Sequence, residues 1–193
     1  MRLAILCLLA LSVLPSPARA QVPVFETVPV GSAIKFYVKA SVALVGNFDS
    51  WDATLTFASR DVTSGVLDIK IHAATVSTGS GIKDKKLKGK DFFDVDQNPL
   101  ITFHSTKVVQ TGPDTLDVLG DFTIKGVSKP ETLKMTISGK GTGKGTIKGT
   151  MAFDRQDYGI NGSIPFVKIA DRVEVNVDLK VNQTSGPRLI YQQ

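Results

Sequence analysis

Two histidines, His72 and His104, are the only imidazoles in the chain, so general-base or metal chemistry would have to be built on them. Each follows an apolar residue in an alternating run, His72 after Ile71 and His104 after Phe103. Period-two alternation puts such positions on the face opposite the apolar one. Both are therefore expected to meet solvent or polar neighbours, and two distant imidazoles without a carboxylate pattern make no metal set. The cluster Asp154-Arg155-Gln156-Asp157-Tyr158 offers two carboxylates, a guanidinium and a phenol. An arginine between two aspartates can form bidentate pairs, with Tyr158 covering its stem. A structural clasp at the rim of the fold is expected there, because two carboxylates three residues apart on a strand end diverge.

Gly139-Lys140-Gly141-Thr142-Gly143-Lys144-Gly145-Thr146 invites comparison with a phosphate-binding loop. The comparison fails: Ser138 stands where the first glycine is required, and Gly145 where the lysine should be followed by Ser or Thr. A flexible hairpin between two strands is the expectation. No catalytic residue, metal site or required cofactor emerges from these groups.

The elements that would position any site begin after residue 20. Arg2, the apolar run Leu3 to Leu14 and Ala18-Arg19-Ala20 form the three parts of a secretory signal peptide, with cleavage expected before Gln21. The run is shorter than the roughly 20 residues that span a bilayer. Cys7, the only cysteine, lies inside it, too early for lipid modification at the cleavage site, so the mature chain has no thiol or disulfide. Removing Arg2 and Arg19 with the leader brings the net charge from +5 to +3. Lysines interleaved with aspartates give a solubilising surface, and no nucleic-acid partner is expected. Residues 21–193 are read as a single exported, periplasmic domain.

Within that domain, period-two runs mark strands with one buried face. They are Ile34/Phe36/Val38, Leu55/Phe57, Leu67/Ile69/Ile71, Ile101/Phe103, Leu116/Val118/Phe122/Ile124, Leu133/Met135/Ile137 and Val173 to Val181. Turn signals fall at Gly46-Asn47, Asp61 to Gly65, Thr111 to Asp114, Gly126 to Pro130 and Asn161-Gly162. Regular spacing of short strands and turns predicts an all-β sandwich or barrel. Ser80 to Lys90 breaks the alternation and predicts a short helix capped at Ser80 and stopped by Gly89, feeding the pair Phe92-Phe93. The tail from Asn182 is expected to be a loosely attached end. From the residues alone, a lumen open to a ligand and a filled core stay equally open.

The chain resembles the YceI-like family of exported, lipocalin-like barrels that bind polyisoprenoid lipids, over roughly Val30 to Val181. Four blocks carry the resemblance. They are Ser32-Ala33-Ile34-Lys35-Phe36-Tyr37-Val38 leading to Gly46-Asn47-Phe48, and Asp84, Leu87 and Asp91-Phe92-Phe93-Asp94-Val95 through Pro99-Leu100-Ile101-Thr102-Phe103 to Ser105. Leu119-Gly120-Asp121-Phe122-Thr123-Ile124-Lys125-Gly126-Val127-Ser128-Lys129-Pro130 and Phe153-Asp154-Arg155-Gln156-Asp157-Tyr158-Gly159-Ile160 complete the set. The resemblance implies an eight-stranded antiparallel β-barrel with a short helix near its mouth and a lumen holding a long isoprenoid, a quinone or a prenyl phosphate.

On that reading the lipid-binding residues are Phe36, Val38, Leu55, Phe57, Leu67, Ile69, Ile71, Phe103, Phe122, Ile124, Met135, Ile137, Phe153, Val175, Val177 and Leu179, with Phe92 and Phe93 as the lid. Gly31, Lys39 and Lys86 stand where family members often carry histidine, and Lys83 where arginine is usual. Lys83 and Lys86 are accordingly the candidates for holding an anionic headgroup. The partner is an isoprenoid lipid, with transient membrane or membrane-protein contact and a homodimer left open. The rivals are a stress-related interaction protein with a filled core and a small barrel enzyme.

Overall fold

The computed structural model describes residues 21–41, 44–163 and 168–192; the leader, its cleavage point and Cys7 lie outside them. Ten strands form one antiparallel sheet: β1 (Val24–Ala40), β2 (Leu44–Phe48), β3 (Trp51–Phe57), β4 (Gly65–His72), β5 (Val76–Ser77), β6 (Leu100–Gln110), β7 (Thr115–Ile124), β8 (Val127–Ser138), β9 (Lys144–Asp154) and β10 (Ile169–Ser185). Their order is β3-β4-β6-β7-β8-β9-β10-β1-β2-β5. The sheet curls until β3 meets β1, where Thr27 Oγ1 donates to the Ala53 carbonyl at 3.0 Å. One helix, α1 (Gly81–Lys88), packs at one end.

The all-β barrel with a short helix is the expected fold, with ten strands in place of eight. The extra strands come from a corner at Asp49-Ser50. There Asp49 N–H donates to the Thr75 carbonyl (3.2 Å) and Ser50 N–H to Thr75 Oγ1 (3.1 Å). β2 turns toward the two-residue β5, and β3 toward β4. Gly46-Asn47, read as a turn, lies inside β2 opposite Phe36 and Lys35. A glycine is needed there because a Cβ would collide with the Phe36 ring.

Gly126 to Pro130 was likewise too long a turn. The chain reverses on Lys125 and Gly126 alone, at φ 52° and 73°, as a two-residue hairpin of this kind requires. Pro130 is already in β8, where that strand pairs with β7 but has not yet met β9, so its missing N–H costs no ladder bond. The tail is also pinned, against expectation. Ile190 N–H donates to the Arg60 carbonyl (2.7 Å), and its own carbonyl accepts from Val62 N–H (3.1 Å). Gln192 N–H donates to Gln110 Oε1 at 2.7 Å.

β1 and β10, each 17 residues long, pair along most of their length. β1 interrupts the pairing between Val28 and Ala33. Ser32 Oγ spans the gap, donating to the Val28 carbonyl (2.6 Å) and accepting from Lys180 N–H (2.8 Å). A second bulge between Ser105 and Lys107 lets β6 bend over β7. Ser105, buried, accepts from Leu67 N–H at 2.8 Å. Near one rim Phe122, Phe153 and Tyr158 form an aromatic triad with centroids 5.1–5.4 Å apart. The Tyr158 hydroxyl donates to Glu131 at 3.0 Å.

Two consequences can be measured. A Cβ on Gly120 would stand 2.5 Å from the His104 carbonyl and 2.7 Å from the Phe103 ring, so Gly120→Ala is expected to cost about 2–3 kcal/mol. The urea midpoint should fall at constant slope, and an unchanged midpoint would refute the close approach of β6 and β7. Burial first, then the Glu131 charge and hydrogen bond and the Asp157 charge, hold the Tyr158 phenol above its ordinary range. A raised phenol pKa contributes stability that is complete below about pH 10 and is lost as pH rises above it. Tyr158→Phe should cost about 1 kcal/mol at neutral pH, and urea melts should show its deficit against wild type shrinking above about pH 10.

Candidate functional site

Alternation along the strands sends one side chain in two into the lumen, and three apolar spaces lie along it. The first, at the α1 end, measures about 660 Å³ with the space at its mouth included. It collects Phe36, Val38, Ile71, Phe122, Ile124, Phe153 and Val175 from the walls and Phe92 and Phe93 from the lid. Ile34, Leu44, Phe48, Leu87, Ile101, Ile160, Ile169 and Val173 complete the apolar lining, and among the described residues Arg155 is its one charged member.

The lid is built locally. The Ser80 side chain makes no cap bond; instead Asp84 reaches back to accept from Thr78 N–H (2.8 Å) and its hydroxyl (2.7 Å). This fixes the first turn of α1 and turns Leu87 inward, at 2% exposure, while Ile82 stays outside at 87%. After Gly89, Phe93 N–H donates to the Leu87 carbonyl at 3.0 Å and Gly162 N–H to the Asp91 carbonyl at 2.8 Å. Phe92 then lies over Gly162, where any Cβ would strike its ring. Phe93 stands edge-on to Phe36 at 6.4 Å and tilted to Phe48 at 5.9 Å.

Arg155 does not pair with the aspartates beside it in sequence. Its Nη2 meets Asp171 at 2.9 Å, Nη1 donates to the carbonyls of Ile160 (2.6 Å) and Gly162 (3.2 Å), and Nε donates to that of Ala170 (3.3 Å). Asp154 instead caps the following turn through Gln156 N–H (2.9 Å), and Asp157 pairs with Lys129 (3.1 Å). The cluster is a clasp, with Arg155 fastening the chain after Tyr158 to the start of β10. Its partner Asp171 is sixteen residues away, so local spacing carried no signal for it. Tyr158 belongs to the aromatic triad.

Lys83 and Lys86 stand on α1 outside this cavity. Lys86 Nζ is 3.7 Å from Asp91 and 6.0 Å from the centroid of the Phe92 ring. Neither lysine is among the cavity-lining residues. Among the described residues the α1 end therefore presents no unengaged cation in the cavity lining.

At the middle of the barrel the lumen narrows to a waist with a space of about 310 Å³, open solvent included, bounded by Ile69, Thr102, Phe103, Leu133, Met151 and Val177 and by residues shared with the first cavity. Leu179, fully buried, faces none of the three spaces. Beyond the waist a cavity of about 830 Å³, mouth included, takes Leu55, Phe57, Leu67, Met135 and Ile137. Phe25, Val62, Val108, Leu116, Val118, Ile147 and Val181 add to its walls, and Leu189 and Tyr191 of the tail form its side. Leu116 and Val118 share the alternation of β7 and were legible. Leu189 and Tyr191 were not, because a tail without alternation gives no sign of docking.

Both histidines lie exposed on the outer face. His104 Nδ1 is 2.5 Å from Asp68, and His72 Nε2 is 4.0 Å from Asp52. Neither lines any of the three spaces. Among the described residues no group of three or more His, Cys, Asp and Glu could hold a metal.

A UPF0312 protein of Pseudomonas savastanoi pv. phaseolicola is 34% identical over 131 residues, 65% of this chain and 68% of that one. Burkholderia cenocepacia BcnA, known from a crystal structure, superimposes with a TM-score of 0.73 at 24% identity, covering 80% of this chain and 99% of its own. A polyisoprenoid binding domain from Saccharophagus degradans gives 0.66 at 14% identity, covering 83% and 99%. Both structural likenesses establish the fold. The sequence from residue 25 to residue 181, nearly the whole barrel, matches the YceI-like domain, and the chain belongs to that family.

Proposed function

We propose that this protein is exported and holds the apolar chain of an isoprenoid lipid, a quinone or a prenyl phosphate, inside its barrel without acting on it chemically. The observation that carries the reading is the α1-end cavity, whose lining is apolar except for an arginine held by three carbonyls and Asp171. Such a space offers a hydrocarbon chain burial and offers a reacting group nothing. Each buried CH₂ contributes about 0.8 kcal/mol, so about ten buried carbons give roughly 8 kcal/mol before ordering costs. No polar motif is needed for binding of that strength. The shared fold of the Saccharophagus degradans polyisoprenoid binding domain supports the same ligand class. Export to the periplasm follows from the leader Arg2 to Ala20, and delivery of such a cargo would require transient contact with a membrane or a membrane protein.

A second reading is a filled core acting through the outer surface, and it draws on the closely lined waist around Ile69, Phe103 and Leu133. One experiment separates the two. The protein is recovered after expression with its own leader, its intact mass is read under native and denaturing conditions, and its organic extract is analysed. The expected result is a chain beginning at Gln21 with about one isoprenoid per chain. A ligand-free mass that stays unchanged after incubation with quinones and prenyl phosphates would favour the filled core. Retention of residues 1–20 would refute export by cleavage.

A further inference from the structure

Helix α1 sorts its own charges. Four of its eight residues are lysines and one is an aspartate. At about 3.6 residues per turn, the buried face marked by Leu87 also takes Lys83 and Asp84, both half-buried. Asp84 is engaged there by Thr78. The opposite face carries Ile82 and Lys85, three residues apart and so adjacent on the helix surface, with Lys86 and Lys88 on its flanks. Lys90 follows just past the Gly89 stop. Lys85, Lys88 and Lys90 have no ion-pair partner among the described residues, and Lys86 has Asp91 alone. Of the carboxylates beyond, Asp94 is half-buried and Asp96 is exposed. The solvent face of the helix itself therefore bears charge of one sign.

Cations in a last helical turn complement the carbonyls there, and that accounts for Lys85, Lys86 and Lys88 as residue types. It does not account for Ile82. At 87% exposure Ile82 is more open to water than any other large apolar side chain described. An apolar residue held outward among ammonium groups is the arrangement of a helix lying in a membrane interface. An acidic protein surface would satisfy the lysines, whereas an anionic bilayer satisfies the lysines and also offers Ile82 hydrocarbon. On the inner side of the same short helix, Leu87 lines the α1-end cavity together with Phe92 and Phe93.

We propose that the outer face of α1 docks this protein on an anionic bilayer, with the ammonium groups of Lys85 and Lys88 against lipid phosphates and Ile82 reaching below them. This orients the α1 mouth, and with it the lid, toward the membrane. The inference deepens the membrane contact of the proposed function and rests on that reading for its purpose, although the docking itself needs no cargo.

The test is cosedimentation of the mature protein with lipid vesicles. The protein is expected to bind vesicles of phosphatidylcholine and phosphatidylglycerol in equal parts, not those of phosphatidylcholine alone, and added salt should release most of it. K85A/K88A should bind the acidic vesicles about 25-fold more weakly, since each lysine at such a surface contributes about fivefold. Ile82→Ser should weaken binding about tenfold. K134A/K148A, which removes two exposed lysines from the barrel wall, should leave it unchanged. Equal binding to both vesicle types would overturn the docking face. So would wild-type affinity in Ile82→Ser, or a loss in K134A/K148A as large as in K85A/K88A. Vesicle binding through α1 by a protein whose extract holds no isoprenoid would keep the docking face and remove the cargo. An isoprenoid-loaded protein that ignores acidic vesicles would remove the docking face alone.

Discussion

Phenylalanine rings seated on glycines set the shape of this barrel. Phe36 lies over Gly46, Phe57 over Gly65, Phe103 over Gly120 and Phe92 over Gly162; at each glycine a Cβ would intrude on the ring. A small barrel has to fill its interior with side chains while its walls stay close enough to pair. Rings packed against bare backbone satisfy both demands, and they do so at each level of the lumen. Phe92 closes the α1 end, Phe36 lines the cavity beneath it, Phe103 forms the waist and Phe57 faces the far cavity. Three of the four glycines are in strands or at a strand start, where glycine costs backbone entropy. That cost is offset by ring burial at the same place.

The residues that identify the family mostly build this scaffold. Ser32 spans the β1 bulge, Asp84 fixes the first turn of the helix, Ser105 takes a buried strand amide, Lys125-Gly126 makes a hairpin, and Arg155 fastens the rim. Each satisfies backbone groups at a place where the curled sheet departs from regular pairing. Buried backbone groups left unpaired are expensive, so these positions admit few residue types. Lumen positions tolerate any apolar residue of suitable volume. A sequence signature of this kind therefore reports architecture strongly and ligand chemistry weakly.

The same division explains what could be read from the chain. Alternation in β1, β4, β6, β7, β8 and β10 gave the faces correctly, because burial on one side of a strand is a local pattern. Gly46-Asn47 and Pro130 were misread because punctuation residues have two uses. Each also serves inside a strand when a ring or an edge on another strand requires it, and that strand is remote in sequence. Arg155 was placed in the correct clasp but given the wrong carboxylates, since Asp171 reaches it only through the β9–β10 pairing. The division of one expected lumen into two cavities was invisible. It depends on how Ile69, Phe103, Leu133, Met151 and Val177 meet across the barrel, and alternation records only that each points inward.

The waist sets how much hydrocarbon one end can bury. Ile69, Phe103, Leu133 and Val177 are nearly inaccessible, and interiors at this density do not part without losing contacts on every side. A chain confined to one cavity gains its burial energy per CH₂ only up to the waist, and further carbons must stay in the mouth or displace those side chains. Rotating Met151 out costs little, since an unbranched thioether has several rotamers of similar energy. Moving Phe103 is costlier because its ring is held on Gly120 by the β6 bulge. A route from one cavity to the other therefore runs against Phe103.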